Sequence, residues 1–216
     1  QVNGETVDLR TVVSEDSDLN ILIFNDEEGK LAFRHTASHV LAQAVKRLYP
    51  EAKLAIGPAI EDGFYYDFDM APLTREDLDA IEKEMKKVIK ENPPIERYEL
   101  PREEAIAYMK EKDEPYKVEL IEDLPEDATI SFYKQGDFTD LCAGPHLMSV
   151  KPIKAFKLTA SSGAYWRGNE NNKMLTRIYG TAYTKKADLE ERLKYLEEIK
   201  LRDHNRLGRE MELFTT

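Results

Sequence analysis

"LAIGPAIEDGFYYDFDM", residues 54–70, decides the fold class. Two short extended runs meet at Asp62-Gly63, and beyond that turn Phe64, Tyr66 and Phe68 alternate with Tyr65, Asp67 and Asp69. A period of two with Asp-Gly at the junction predicts a β-hairpin with one aromatic face. Upstream, Phe33, Ala37, Val40, Ala44 and Leu48 recur at helical spacing until Pro50 stops them, which predicts an amphipathic helix from about Lys30 to Tyr49. Downstream, Thr74 opens a Thr-x-x-Asp capping pattern for a helix with Leu78, Ile81, Met85 and Val88 inside, ended by Pro93-Pro94. A shorter helix is expected after Pro101. "TISFY", "FTDLC", "IKAFKL", "AYWRG" and "TRIYG" then read as short extended runs separated by Gly, Asn and Ser turns. Leu189, Leu193, Leu196 and Leu207 predict a charged helix over the last thirty residues. Helices packed beside an antiparallel, hairpin-rich sheet make the class α+β, not doubly wound.

Residues 1–24 read differently, with "NGE" as a turn and "LNILIF" as a closing strand, so they are expected to end a small β-rich module. The acidic "NDEEGK" follows as a linker. Because the first residue is Gln1 and the opening strand pattern has no beginning, the sequence reads as a piece of a longer chain.

The 216 residues suffice for one large domain or two small ones, each with its own core. A single cysteine excludes an internal disulfide, and neither a leader nor an apolar run of membrane-spanning length is present, so a soluble, cytoplasmic protein is expected. A net charge of -11 argues against a chain that grips nucleic acid over its whole surface. The charge is uneven: residues 1–30 carry eight acidic and two basic side chains, whereas residues 151–186 carry eight basic ones against Glu170 alone. Any contact with RNA is expected in that second stretch.

Three of the four histidines and the sole cysteine fall into two pairs of matching spacing, His35 with His39 in "RHTASH" and Cys142 with His146 in "DLCAGPH". On a helix, His35 and His39 share a face, nearly opposite the apolar stripe. Alone, that pair reads as part of a solvated face. Thr36 stands where the zinc-protease motif HExxH has its glutamate, so that chemistry is not indicated. Gly144 and Pro145 place Cys142 and His146 on a turn, and alone they read as a structural cysteine near a histidine. A Cys-His nucleophile would need an orienting Asn or Asp, and none is identifiable by spacing.

Taken together, "FRHTASHVLAQAVKRLYP", "IGPAIEDGFYYDFDM", "DLCAGPH" and "GAYWRGNENNKMLTRIYGTAY" closely resemble the editing region of bacterial-type threonyl-tRNA synthetases, and the two pairs resemble those of alanyl-tRNA synthetase editing domains. The resemblance implies three parts: residues 1–24 as the end of a ubiquitin-like module, 25–184 as the editing domain, and 185–216 as a linker helix. It implies hydrolysis of the seryl ester on mischarged threonine tRNA, with the acceptor end as partner. It implies no charging of tRNA, because the family's ATP and threonine site lies in a core that this sequence lacks; no membrane and no protein partner are indicated. Carried over by motif, the catalytic residues are His35, His39, Lys117, Cys142 and His146, and the substrate-binding residues Tyr66 and Asp140. The RNA contacts expected are Lys154, Lys157, Tyr165, Trp166 and Arg167. No metal is expected in editing, since the Lys117 ammonium would repel a divalent cation and supply its charge. The competing reading is a non-catalytic RNA- or partner-binding module in which His35, His39, Cys142 and His146 hold a structural zinc.

Overall fold

A computed structural model describes residues 1–201 of the chain. The central helix is α1, Glu27–Leu48, with Glu27 and Glu28 in its first turn and Lys46 and Arg47 in its last, each set matching the sign of the helix dipole there. From Phe33 to Val45 every side chain except His35 is buried. The expected amphipathic helix with a solvated histidine face is therefore corrected: this helix is enclosed all round. The cause is tertiary. One side of α1 lies against β3, Gly63–Asp69, and α2, Arg75–Glu91, while His39 meets Phe138 from another direction.

The hairpin forms with its turn one residue earlier than the sequence suggests. β2, Ala59–Ile60, pairs with β3 through Ile60 and Gly63, so Glu61 and Asp62 make the turn. Phe64, Tyr66 and Phe68 are fully buried as expected, and Asp67 is buried as well because the Arg177 guanidinium forks over its carboxylate at 2.7 and 2.8 Å. β3 also pairs with β1, Lys53–Leu54, and with β8, Met174–Tyr183, whose other neighbour is β7, Ala155–Tyr165; all these pairings are antiparallel. β7 is one strand of eleven residues where the sequence reads as two runs, since a bulge between Leu158 and Ala160 carries the pairing through.

α2 begins with the expected reciprocal capping of Thr74 and Asp77, and Leu78, Ile81, Met85 and Val88 are its buried face. A second, three-stranded antiparallel sheet follows, ordered β4, Ile95–Glu99, β5, Ser131–Gln135, and β6, Phe138–Leu141. Between β4 and β5 stand α3, Arg102–Glu111, and the eight-residue α4, Pro115–Glu122. Periodicity does not predict β4 or α4, because each is too short to show a repeat above background. α5 spans Lys186–Leu201, with Leu189 buried; Leu207 and His204 lie outside the described residues.

The expected strand "LNILIF" is absent. The "NGE" turn is present, with Asn3 and Gly4 at positive φ, but residues 1–24 hold only isolated bridges from Val2 to Glu5 and to Leu19. A strand needs the edge of another, and Leu19, Ile21 and Ile23 remain exposed instead.

Candidate functional site

The two pairs converge. α1 presents His35 and His39 to the loop after β6, which carries Cys142 and His146; Cys142 Sγ lies 3.3 Å from His35 Nε2 and 3.2 Å from His146 Nε2. The His146 ring sits between the others, its centroid 4.2 Å from that of His35 and 4.1 Å from that of His39. His35 is half-buried and marks the open side of the cluster, whereas His39 and His146 are buried.

Behind His39 lies a buried ionic pair. Lys117 Nζ, from α4, is 2.7 Å from Asp140 Oδ1, from β6, and the Tyr66 hydroxyl, from β3, donates to Asp140 Oδ2 at 2.6 Å. His39 Nε2 is 3.6 Å from the same Oδ2. Three elements distant in sequence thus meet on one carboxylate. Burial opposes its charge, yet the Lys117 ammonium, His39 and the Tyr66 hydroxyl together hold its pKa below the ordinary value. The bland reading of Lys117, a solvated lysine in an acidic stretch, is excluded by its burial.

Burial sets the other protonation states. It pushes His35 down to about 4, His39 to about 3 and His146 well below its ordinary value, and it pushes the Cys142 thiol up to about 12. In the metal-free protein at pH 7 the cluster is therefore three neutral imidazoles and a thiol. Such groups order water and pass protons, while a thiolate nucleophile is disfavoured.

The loop itself is held from the N-terminal segment, a role that no sequence signal announces. Asp8 Oδ2 accepts from the Tyr133 hydroxyl at 2.8 Å and from the His146 amide at 3.3 Å, and Asp8 Oδ1 is 2.9 Å from Arg10 Nη1. Arg10 Nη2 donates to the carbonyls of Ile95 and Leu147, each at 3.0 Å, tying β4 to the loop. Gly144, at φ +77°, passes so close to Tyr133 that a Cβ would overlap its hydroxyl. Asp8→Ala is expected to lower stability by about 1–3 kcal/mol, because it strands the hydroxyl of the buried Tyr133 and the Arg10 guanidinium. Urea unfolding measures the loss, and faster amide exchange at His146 would show that the loop is what loosens.

The residues expected to meet RNA are placed unequally. Lys154 is exposed and Tyr165 is 40% exposed. Lys157 is bound to Glu82 at 2.8 Å, and Arg167 pairs with Asp123 and Glu119. Trp166 is only 5% exposed; its Nε1 donates to Glu119 at 3.0 Å and its ring meets Tyr116 edge-on. Trp166 is thus a packing residue whose face is closed to an incoming base. The basic stretch is also less positive than its composition, since Lys173 and Arg177 pair with Asp69 and Asp67. Among its residues, Lys151 and Lys154 are exposed and have no carboxylate within ion-pair distance among the described residues.

The cluster suits a metal in its chemistry. Its four donor atoms lie within 4.8 Å of one another. A tetrahedral zinc shell has donors ~3.3–3.8 Å apart, given bonds of ~2.0–2.3 Å. Lys117 is no free ammonium, because Asp140 neutralises it, so the expected exclusion of a cation by charge loses its basis.

Residues 130–179 match the family model described as the threonyl and alanyl tRNA synthetase second additional domain. That stretch of the chain is similar to the domain so described. Across its full length it is 67% identical to a threonine–tRNA ligase of Clostridium tetani and 64% identical to one of Clostridium acetobutylicum. Over 99% of its length it is 65% identical to a threonine–tRNA ligase of Acetivibrio thermocellus. In each case it spans about a third, 34%, of the relative's length. The matched residues include Asp140, Cys142 and His146, while His35, His39, Tyr66 and Lys117 come from outside them. Among the described residues, no helix is long and apolar enough to cross a membrane.

Proposed function

We propose that this domain hydrolyses the seryl ester of mischarged threonine tRNA, and that His35, His39, Cys142 and His146 form the wall that positions the water. The observation that carries this reading is the convergence of that wall with the buried Lys117–Asp140–Tyr66 group at one open-sided site. The physical need is clear for a threonine–tRNA ligase, the activity named for the relatives. Serine lacks one methyl of threonine, a difference worth ~1–3 kcal/mol in a pocket, which a single binding step cannot turn into high fidelity.

In this reading the half-buried His35 takes a proton from the attacking water as the new C–O bond forms and returns it to the ribose oxygen as the ester bond breaks, while His39 and His146, as neutral imidazoles, order the water. Asp140 and Tyr66 are assigned to the amino and hydroxyl groups of the seryl moiety, a contact that requires this closed group, 2% and 0% exposed, to open toward the substrate. Lys117, fixed by Asp140, donates to the developing oxyanion. The acceptor end of the tRNA approaches across Lys154 and Tyr165, with Lys157 and Arg167 free to contribute only by giving up their carboxylates. We assign 25–184 as the editing unit, 1–24 as the end of a neighbouring ubiquitin-like module and 185–216 as a connection, of which Lys186–Leu201 is helix and 202–216 lie outside the described residues.

Zinc, where bound, would be held by His35, His39, Cys142 and His146, and would supply Lewis acidity or a structural tie. We propose that editing runs without it, on the ground that the neutral imidazoles of the cluster can order water and relay protons themselves. Seryl- and threonyl-loaded threonine tRNA are incubated with the protein before and after dialysis against a strong chelator. Rapid loss of serine alone, unchanged by dialysis, is the expected result. Equal rates on both esters would end the proposal, and unfolding on chelation would favour the zinc-tied module.

A further inference from the structure

The hydroxyl of Thr36 is fully buried at the junction of α1 and the Cys142–His146 loop, with three partners around one oxygen. Oγ1 lies 2.8 Å from the Ala32 carbonyl, 3.0 Å from the Leu147 amide nitrogen and 3.2 Å from His146 Nδ1. Two of these roles are fixed by chemistry. A carbonyl only accepts and an amide N–H only donates, so the single hydroxyl proton goes to Ala32 and one lone pair takes Leu147. What remains is the second lone pair, which requires a proton on Nδ1. The opposite tautomer would set a bare Nδ1 against a lone pair, or take the hydroxyl proton from Ala32; either way one buried contact is lost.

From this proton count we propose that Thr36 is a positioning residue that fixes His146 in its Nδ1–H form, leaving the Nε2 lone pair aimed into the cluster. Nε2 is the atom 3.2 Å from Cys142 Sγ, so the tautomer decides whether the ring accepts a proton there or donates one. An accepting Nε2 also suits a proton relay or a metal ligand, so the assignment does not depend on which the site uses. Its catalytic consequence rests on the proposed hydrolysis, and its structural content does not.

The test uses the 216-residue chain labelled with 15N, compared as wild type, Thr36→Val and Thr36→Ser after dialysis against a chelator. Long-range proton–nitrogen spectra report which nitrogen of His146 carries the proton. Wild type and Thr36→Ser are expected to show Nδ1–H. Thr36→Val, which keeps the shape and removes the hydroxyl, is expected to move the population toward Nε2–H. In seryl-ester hydrolysis, Thr36→Val is expected to lower kcat by about 10–100-fold with KM little changed, and Thr36→Ser to restore it. Nε2–H in the wild type overturns the proposal even if no variant folds. An unchanged tautomer in Thr36→Val also overturns it. If the wild type hydrolyses neither ester, the functional reading fails, and the spectra still decide the tautomer.

Discussion

Lys117→Met is expected to destabilise the fold by about 3–5 kcal/mol and to abolish ester hydrolysis. The stability loss follows from what remains: Asp140, 2% exposed, keeps the Tyr66 hydroxyl but loses the Lys117 ammonium that pairs with it. An uncompensated buried charge costs that much when its partner is removed. Stability and chemistry are separable by a second change. Lys117→Met with Asp140→Asn removes the charge as well as the cation, and the amide oxygen still accepts from Tyr66. The double variant should therefore recover most of its urea stability. It should remain inactive, because the proposed oxyanion donor and amino-group acceptor are both gone. A single variant that loses less than about 1 kcal/mol would mean that Asp140 is not held as an anion.

His35→Ala is expected to reduce seryl-ester hydrolysis by about 10²–10⁴-fold, the usual contribution of a positioned acid or base, with little change in stability. The contrast with Lys117 comes from burial: His35 is half-buried at the cluster edge, and the partners it leaves, the Cys142 thiol and the Pro145 carbonyl, are themselves only half-buried. Single-turnover deacylation under saturating protein measures the chemical step without product release. A rate within about threefold of wild type would assign water positioning to His39 and His146 instead.

The sequence by itself determined the elements with long or punctuated patterns. The α1 stripe, the Thr74 capping box and the aromatic alternation at Phe64, Tyr66 and Phe68 each rest on local rules, so they could be read without knowing the neighbours. The two His/Cys pairs were legible for the same reason, since a spacing of four is a property of one segment.

Only the tertiary structure decided what those residues meet. His39 is buried because β6 covers the helix face that periodicity leaves to solvent. Lys117 becomes a site residue through a helix too short to signal itself, and Asp8 reaches His146 across 138 positions. The basic stretch loses much of its charge to carboxylates from α2, α4 and β3, which no count along the chain brings together. Trp166 turns inward because Tyr116 and Glu119 stand ready to pack and bond it. Burial, ion pairing and proton placement depend on distances between segments, and those distances exist only once the chain has folded.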